Sequence, residues 1–412
     1  MVNFFLTHIG LFKAIGAALA ALGAILKGGP KLLDAIRIWL DRRYLVKHLG
    51  AKKYTPEQIL FATTYYIESD CQNVDPAGTE DLRRNYAVRE NLFKAIDRLL
   101  TNQVQYRHTI LLADSGMGKT SFVLNYYARN CRKIWSPFKL VIVPLGAQDA
   151  DNLIEEIPDK SGTVIFLDAF DEDARAIRNH KERLKQILGL TADFRHVLIT
   201  CRTQFFLRDD EIPKDVVGQM RFDPTGSSKT FVFHKLYLSP FSDSEVKRYL
   251  NRRFGFFKRR DRKRAKRVCD QIADLTVRPM ILANVPELIQ SDKAYEYPFE
   301  VYEEIVARWI DRERPFVPDG RVLLEFSRKI AADIFSQSER RGSETINTRE
   351  IVRYAAPEID LQNWQMTGRS LLNRTVNDQF KFAHRSIMEY LCILAHREGI
   401  YAGSAWTGEN HR

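Results

Sequence analysis

The sequence predicts an α/β fold in which a parallel sheet is followed by a largely helical region. The first sign is a set of four short apolar runs, at 109–113, 140–143, 164–167 and 197–199. Longer segments with helical periodicity separate these runs, and this alternation is typical of parallel strands that are buried on both faces. From about Ser239 the apolar runs stop, and helical patterns dominate to the end of the chain.

Length and composition are those of a globular protein with more than one domain. The chain has 412 residues, 45% of them apolar and 28% charged, and this length suggests about two or three domains. The composition excludes a disordered low-complexity chain, a collagen and a disulfide scaffold. The net charge of +11 is compatible with nucleic acid, anionic lipid or nucleotide phosphates as partners. The five cysteines include no Cys-x-x-Cys pair, so we expect a reduced, cytoplasmic protein.

Residues 1–53 predict a helical hairpin at the N-terminus. The segment 14–26 carries no polar side chain, and Gly28-Gly29-Pro30 breaks the helix before a second one that ends near Leu49. The 23 residues 4–26 are long enough to span a bilayer, but polar side chains interrupt them. Two interpretations stay open, a helix that contacts a membrane or docks a partner, and a helix that packs within the fold.

Residues 54–84 predict a helical linker to the α/β domain. Helical patterns continue to about Asp70, and a polar stretch then runs from Cys71 to Glu80. An amphipathic helix follows, with apolar side chains on one face at 88, 92, 96, 99 and 100. This helix leads into the first predicted strand.

The first predicted strand runs into a phosphate-binding loop. Residues 113–120 read Ala-Asp-Ser-Gly-Met-Gly-Lys-Thr, a P-loop with alanine at its first glycine position, placed between a strand and a helix as the motif requires. Backbone N–H groups of such a loop face phosphates. We expect Lys119 to reach the β- and γ-phosphates and the Thr120 hydroxyl to bind Mg²⁺. The predicted nucleotide contacts here are Ala113, Asp114, Ser115, Gly116, Met117, Gly118, Lys119, Thr120 and Ser121.

The third apolar run ends in acidic side chains. Asp168 directly follows it, as in a Walker B strand whose carboxylate holds Mg²⁺. Asp171 and Glu172 come three and four residues later, where a carboxylate can orient or deprotonate the attacking water. The sequence leaves open which of the two does so. In the alternative interpretation Asp168 caps an acidic helix start, which leaves unexplained why a buried strand is aimed at the P-loop.

The fourth apolar run ends at Cys201-Arg202. An arginine at a strand tip beside a phosphate site can contact the γ-phosphate and report its presence. The alternative is a surface arginine that pairs with Asp209 or Asp210. The predicted catalytic set is therefore Lys119, Asp168, Asp171, Glu172 and Arg202, with Thr120 and Asp168 as the metal ligands.

The second half of the chain predicts helices and one hairpin. Segment 371–382, with Asn377-Asp378 in its middle, predicts two short strands before a last helix. The run 258–267 has eight basic residues in ten, and either it is a solvated helix face or it binds nucleic acid or lipid headgroups. No aromatic residue interrupts this run for base stacking, so direct reading of DNA is not indicated.

Several segments, in the same order, resemble the NACHT class of STAND signalling ATPases. They cover about three quarters of the chain: LDAFDE at 167–172, TCR at 200–202, LYLSPFSDSEVKRYL at 236–250, VRPMILA at 277–283, VYEEIVARWIDRE at 301–313 and FKFAHRSIMEYL at 380–391. The resemblance implies a P-loop nucleotide-binding domain over 85–238, a helical lid over 239–295 and a winged-helix and C-terminal helical region over 296–412. It also implies that Pro279 packs near adenine and that His384 holds the β-phosphate of ADP. Alanine at 113 is a mild departure from the family pattern.

The resemblance further implies a signalling switch that binds ATP or ADP with Mg²⁺. Such a protein is closed on ADP at rest, assembles into a homo-oligomer when a trigger loads ATP, and resets by slow hydrolysis. The trigger, protein or nucleic acid, is not encoded in a recognisable way, and a role in defence such as antiphage immunity is implied by resemblance alone. We expect a cytoplasmic protein with possible membrane contact through residues 4–26.

Rival functions are separated by other motifs. A turnover ATPase that drives transport or remodelling stays open as the alternative to the switch. A GTPase-like regulator is disfavoured because no Asn-Lys-x-Asp segment occurs, and an ABC-type ATPase is disfavoured because no Leu-Ser-Gly-Gly-Gln segment occurs.

Overall fold

The structure is a computed structural model of the 412-residue chain. It describes residues 39–40, 42–49, 53–76, 89–101, 107–114, 116–131, 136–203, 219–222, 231–255, 258–289, 297–341, 343–354, 371–374, 379–382 and 385–399. The chain divides into two compact units, Met1–Thr64 and Tyr65–Arg412.

The described part of the first unit is helical. Residues 42–49 form a helix, in agreement with the predicted second helix of the hairpin, whereas the predicted first helix at 4–26 lies outside the described residues. Helix α1 (Pro56–Thr63) begins at a capping box in which Thr55 and Gln58 each accept a hydrogen bond from the backbone N–H of the other. Among the helices that the structure describes, none combines the length and the apolar character needed to cross a bilayer.

The second unit is built around one eight-stranded sheet. Its five parallel strands lie in the order β8-β3-β6-β5-β4, with bounds β3 (His108–Ala113), β4 (Lys139–Pro144), β5 (Thr163–Asp168), β6 (His196–Arg202) and β8 (Phe231–Leu238). Every residue of β3, β5 and β6 is buried. This burial on both faces explains the continuous apolar runs in the sequence and confirms the predicted parallel sheet.

Three further strands extend the sheet beyond β8, namely β1 (Asp70–Gln72), β2 (Glu90–Asn91) and β7 (Gln219–Phe222). Both β1 and β7 pair antiparallel with β8, and β2 pairs antiparallel with β1. The expectation of helix up to Asp70 and a linker from Cys71 is therefore wrong at these residues. The polar Gln72 is buried because its side-chain oxygen accepts a 2.9 Å hydrogen bond from the Ser239 hydroxyl, a partner distant in sequence.

Helices connect the parallel strands. They are α2 (Leu92–Thr101), α3 (Lys119–Cys131), α4 (Ala150–Glu155), α5 (Ala174–Arg178) and α6 (His180–Leu190). The predicted amphipathic helix before the first parallel strand corresponds to α2, which buries Leu92, Ile96 and Leu100 on one face. The carboxyl ends of β3, β5 and β6 all meet at the same edge of the sheet, because the three strands are parallel.

The remainder of the described chain is helical apart from three short strands. The helices are α7 (Asp243–Phe254), α8 (Arg259–Gln271), α9 (Ala273–Thr276), α10 (Pro279–Leu288), α11 (Pro298–Glu313), α12 (Gly320–Ser336), α13 (Ser338–Arg341), α14 (Thr348–Arg353) and α15 (Arg385–Arg397). Their apolar faces form one continuous core, in which Leu282, Trp309, Phe326 and Leu391 are buried.

A small antiparallel sheet lies within this helical part. Its order is β10-β11-β9, formed by β9 (Ile346–Asn347), β10 (Leu372–Arg374) and β11 (Gln379–Phe382). Leu372 pairs with Phe382 and Arg374 with Phe380. The two strands of the predicted hairpin at 371–382 are thereby confirmed.

Candidate functional site

A tight glycine loop joins the carboxyl end of β3 to the start of α3. Gly116 and Gly118 have φ values of 75° and 95°, a region that favours glycine because other residues are strained there. Within the loop the Met117 N–H donates to the Asp114 carbonyl at 3.4 Å. A Cβ added to Gly118 would meet no heavy atom within 4 Å, so open space adjoins the backbone where α3 begins.

Lys119 is the first residue of α3, and its side chain folds back over the loop. The Nζ atom donates to the carbonyl oxygens of Ala113 at 2.8 Å and of Asp114 at 3.2 Å. Burial lowers the pKa of the Lys119 ammonium group, while the carboxylate of Asp171 acts in the opposite direction. Both hydrogen-bond acceptors of the Lys119 ammonium group are thus neutral carbonyl oxygens. Charged phosphate oxygens are stronger acceptors, so a bound phosphate can replace them.

Asp168 ends β5 and is almost fully buried. The Thr200 hydroxyl, on the adjacent strand β6, donates to Asp168 Oδ1 at 2.7 Å and accepts from the Ala169 N–H at 2.9 Å. Threonine thus fixes both the carboxylate and the turn that follows it. Thr200 is not among the predicted site residues. The sequence signal for it is its position two residues before Arg202, which places both side chains on the same face of β6.

The turn after Asp168 is unusual in its backbone. Ala169 has φ 60° and ψ 58°, the left-handed region, and a 3-10 turn over Phe170–Glu172 follows. Such a conformation costs a non-glycine residue free energy and is concentrated at functional sites. The cap of the next helix, α5, is Asp173, which accepts from the Arg175 N–H at 2.9 Å. The alternative reading of Asp168 as a helix cap is therefore wrong.

Asp171 and Arg202 form a two-point contact. The Arg202 backbone N–H donates to Asp171 Oδ1 at 3.1 Å, and Arg202 Nε lies 2.8 Å from Asp171 Oδ2. Both residues are buried, whereas the neighbouring Glu172 is exposed. Of the two carboxylates predicted to serve the attacking water, Asp171 is engaged by Arg202 and Glu172 faces solvent.

Arg202 also reaches an element outside the sheet. Its guanidinium lies 3.8 Å from Glu313 Oε1, at the end of α11, and Arg312 lies 3.1 Å from the same oxygen. Burial lowers the pKa of Arg202, but the carboxylates of Asp171 and Glu313 outweigh burial and raise it. Arg202 therefore stays charged and connects the strand tip to the helical region. Asp209 and Asp210, the alternative partners that the sequence offers for Arg202, lie outside the described residues.

The start of α10 sits directly on the glycine loop. The Met280 N–H donates to the Gly116 carbonyl at 3.1 Å, and Arg278 lies 3.3 Å from Asp114 Oδ2. A Cβ on Gly116 would come within 2.8 Å of Met280 Cβ, so glycine is needed for this approach. Pro279 occupies the first turn of α10, where its missing N–H is no loss. Arg278 and Met280 were missed by sequence reasoning because nothing local marks them as loop contacts.

The structure thus brings most predicted site residues to one edge of the sheet. The P-loop, Asp168, Asp171, Arg202 and the Pro279 turn all lie at the carboxyl ends of β3, β5 and β6 or in contact with the loop. Thr120 and Ser121 are half-buried in the first turn of α3. Ser115 and His384 lie outside the described residues.

The central strand β3 of the parallel sheet is joined to helix α3 by the glycine loop. Buried Asp168 ends β5, two strands away from β3. The chain has a P-loop NTPase fold. No protein-family model matches the sequence, and no curated protein matches it. The assignment rests on the strand order and on the geometry of the loop.

Solved structures give only distant similarity. A Walker-type ATPase of Pyrococcus abyssi is 12% identical with a TM-score of 0.35, over 73% of this chain and 94% of that one. A RuvB protein of Thermotoga maritima is 12% identical with a TM-score of 0.29, over 75% and 92%. The ORC2 protein of Aeropyrum pernix is 14% identical with a TM-score of 0.27, over 78% and 98%. Scores at this level carry no conclusion about activity.

The residues at the loop fit a nucleotide with Mg²⁺. A Cβ placed on Gly118 would have no heavy atom within 4 Å, so the backbone there is open to a ligand, and the N-terminal end of the 13-residue helix α3 favours anions. Thr120 supplies a hydroxyl and Asp168 a carboxylate, the hard oxygen ligands that Mg²⁺ takes. Thr120 and Asp168 can hold the metal, and Lys119 can hold the phosphates.

Proposed function

We propose that this protein is a NACHT-type ATP-binding and ATP-hydrolysing switch. It rests bound to ADP and becomes active as an ATP-bound homo-oligomer. The observation that carries the proposal is the contact between α10 and the P-loop, in which Met280 and Arg278 hold Gly116 and Asp114. Because a helix outside the sheet is attached to the phosphate loop itself, a change in the phosphates is transmitted to that helix.

The chain's own residues divide the work at the site. Lys119 exchanges its bonds to the Ala113 and Asp114 carbonyls for phosphate oxygens. Thr120 and Asp168 would hold Mg²⁺, which would neutralise charge on the phosphates. Thr200 keeps the Asp168 carboxylate oriented. Glu172, exposed beside the engaged Asp171, orients the attacking water and takes its proton.

Arg202 is the residue proposed to sense the third phosphate. In the structure its guanidinium contacts both Asp171 and Glu313. A γ-phosphate would compete with these carboxylates for the same guanidinium, since Arg binds phosphate and carboxylate with the same fork. Loss of the Glu313 contact would release α11 from the strand tip. The switch then has two states with different contacts to ADP and ATP, as a nucleotide-driven equilibrium requires.

The family resemblance extends the proposal to output and context. Pro279 would pack near the adenine and His384 would hold the β-phosphate of ADP, as the resemblance implies. We assign residues 4–26 to the output, either at a membrane or as a docking helix, and defence such as antiphage immunity to the biological role. Leakage of liposomes by the ATP-loaded protein, compared with a form lacking residues 1–27, tests the membrane role. Equal leakage by both forms, or none while ATP still drives assembly, leaves docking as the output.

Turnover separates the switch from the rival turnover ATPase. We expect the purified full-length chain to retain ADP, and its native mass to rise when a non-hydrolysable ATP analogue replaces ADP. Phosphate release should be slow, below about one per minute, compared with the median of about 10 per second for enzymes. Rapid steady-state release with an unchanged native mass would favour the turnover ATPase. The Lys119→Ala variant is the control, because it should lose nucleotide and the mass change together.

A further inference from the structure

Helix α8 carries a stripe of exposed basic side chains that the nucleotide site does not use. The stripe consists of Arg260, Lys263, Arg264 and Arg267, which follow one another at i, i+3, i+4 and i+7. At 3.6 residues per turn these four positions lie on one face of the helix, over a length of about 10 Å. All four side chains are exposed.

The opposite face of α8 anchors the stripe to the protein. Ala265, Val268 and Cys269 are buried in the core of the helical region, together with Leu282 of α10. Because α8 is fixed along this apolar face, its basic face is held in one orientation towards solvent. The helix backbone that carries the four charges is thus preorganised, which lowers the entropy lost on binding a partner.

The stripe lacks internal counter-ions. Within the part of the chain that the structure describes, the four side chains form no ion pair or hydrogen bond. The contrast lies on the same helix, where Lys266, off the stripe, pairs with Asp270 at 2.7 Å. A bare row of like charges raises the free energy of the folded state, so its presence indicates a partner that supplies negative charge.

The charge is concentrated in one region of the sequence. Residues 243–271, which form α7 and α8, contain 12 basic and four acidic side chains, a net charge of +8 in a chain whose total is +11. On α7, Lys247 and Arg248 are exposed as well. Most of the excess positive charge of the whole protein therefore lies in one helical pair.

We propose that α8 binds the phosphate backbone of a nucleic acid without reading its sequence. Three of the four stripe residues are arginines, whose fork holds phosphate with two hydrogen bonds. The length of about 10 Å spans about three nucleotide steps of one strand at 3.4 Å each. Base reading is not supplied, because no large apolar or aromatic side chain is exposed on the described part of this helix. The same lack disfavours a lipid surface, where basic helices bury an apolar face.

The test is binding of the full-length chain to a dye-labelled DNA duplex and to single-stranded RNA, followed by anisotropy over a range of salt concentrations. The quadruple variant R260Q/K263Q/R264Q/R267Q should bind at least about tenfold more weakly than the wild type. Its slope of log affinity against log salt should fall by about one per side chain removed. Scrambling the nucleic-acid sequence should change nothing.

A matched control removes the same charge elsewhere. The control variant changes four exposed basic residues on other helices to Gln, namely Arg178, Lys185, Arg340 and Arg349. It has the same net charge as the stripe variant, and its affinity for nucleic acid should stay within about twofold of that of the wild type. The variant R260K/R264K/R267K should retain most of the binding, which separates loss of charge from misfolding. No variant should unfold at a lower urea concentration than the wild type, and loss of the like-charge row should leave the stripe variant at least as stable.

Three results would overturn the proposal. The first is absence of binding to either nucleic acid at low salt, and the second is equal loss of affinity in the stripe and control variants. The third is stripe-dependent binding to vesicles of phosphatidylserine and phosphatidylcholine without binding to nucleic acid, which would identify a lipid surface. Since Lys119→Ala should still bind nucleic acid, failure of the nucleotide switch and failure of this proposal are distinguishable.

Discussion

Thr200 shows how one hydroxyl can organise a metal-binding carboxylate. It donates to Asp168 Oδ1 and accepts from the Ala169 N–H, and both Thr200 and Asp168 are buried. A buried carboxylate that loses a hydrogen bond keeps its desolvation cost without compensation. The orientation of Asp168 therefore depends on its neighbour on β6.

The Thr200→Val change tests this dependence. Valine keeps the shape of the side chain but removes the hydroxyl, so the free energy of unfolding should fall by about 1–3 kcal/mol. Affinity for ATP should fall in the presence of Mg²⁺ and change little in its absence. Urea unfolding and nucleotide titration with and without Mg²⁺ measure the two effects. Thr200→Ser, which keeps the donor, is the control, and an equal loss of ATP affinity without Mg²⁺ would contradict a role through the metal.

Glu172 and Asp171 can be separated by single changes. Since Asp171 is engaged by Arg202 and Glu172 is exposed, Glu172→Gln should slow phosphate release by about 10²–10⁴ while ATP stays bound. Asp171→Asn should instead weaken the Arg202 contact and lower stability. Single-turnover hydrolysis and ATP retention are the measurements. A normal rate in Glu172→Gln together with a large loss in Asp171→Asn would reverse the two roles.

At the level of secondary structure, α10 is joined to the P-loop by a hydrogen bond and an ion pair. The Met280 N–H donates a hydrogen bond to the carbonyl of Gly116 in the loop, and Arg278 forms an ion pair with Asp114. Both charged side chains of this pair are largely shielded from solvent. Removing one member of a shielded pair costs more than removing an exposed ion, because the other charge is left uncompensated. The connection is therefore expected to influence how long nucleotide stays bound.

The Arg278→Gln change removes this ion pair without altering the loop backbone. We expect release of a fluorescent ADP analogue to accelerate by about 10- to 100-fold, which corresponds to about 1.4–2.8 kcal/mol. Stopped-flow displacement by unlabelled ADP measures the rate. The control is Arg321→Gln, which removes the exposed pair between Arg321 and Asp319, the N-cap residue of α12. Release at the wild-type rate in Arg278→Gln would show that α10 does not retain nucleotide.

At the scale of the whole molecule, the opposite edge of the sheet bears three histidines. His108 begins β3, His196 begins β6, and His234 lies in β8. Burial lowers the pKa of His108 to about 4 and that of His196 to about 3, with nearby positive groups adding to the effect, and it lowers the pKa of His234 as well. His196 Nε2 is also hydrogen-bonded to the Thr109 hydroxyl at 2.9 Å.

Because the pKa values of these histidines are lowered, we expect the free energy of unfolding to decrease in acid. Below the usual histidine pKa of about 6.5 the unfolded chain takes up protons that the folded chain does not, so stability falls as pH drops towards the folded pKa values. Each histidine contributes up to about 1.4 kcal/mol per pH unit in that window. His196→Gln, which can retain the bond to Thr109, should reduce the loss between about pH 7 and about pH 5.5 in urea unfolding.

The control is the exposed His396→Gln on α15, for which we expect the same pH dependence as the wild type. If His196→Gln also loses stability as steeply as the wild type on acidification, the buried histidines do not set the acid sensitivity.

Features that depend on neighbours along the chain could be predicted from the residues alone. The apolar runs identified four of the five parallel strands, and the glycine spacing identified the loop that leads into Lys119 and Thr120. The position of Asp168 at a strand end followed from the same local pattern. Such features are readable because a strand, a tight turn and a helix start each impose their residue preferences over a few consecutive positions.

Contacts across the sheet and across the helical region could not be predicted in this way, because they depend on how the elements pack. The contacting residues are separated by between 31 and 164 residues along the chain. The contacts are those of Thr200 with Asp168, of Arg202 with Asp171 and Glu313, and of Met280 with Gly116. Strand β1 was missed for the same reason, because its hydrogen-bond partners lie on β2 and on the distant strand β8. Pairing over such distances is set by packing and strand order, so no local preference marks the residues that take part.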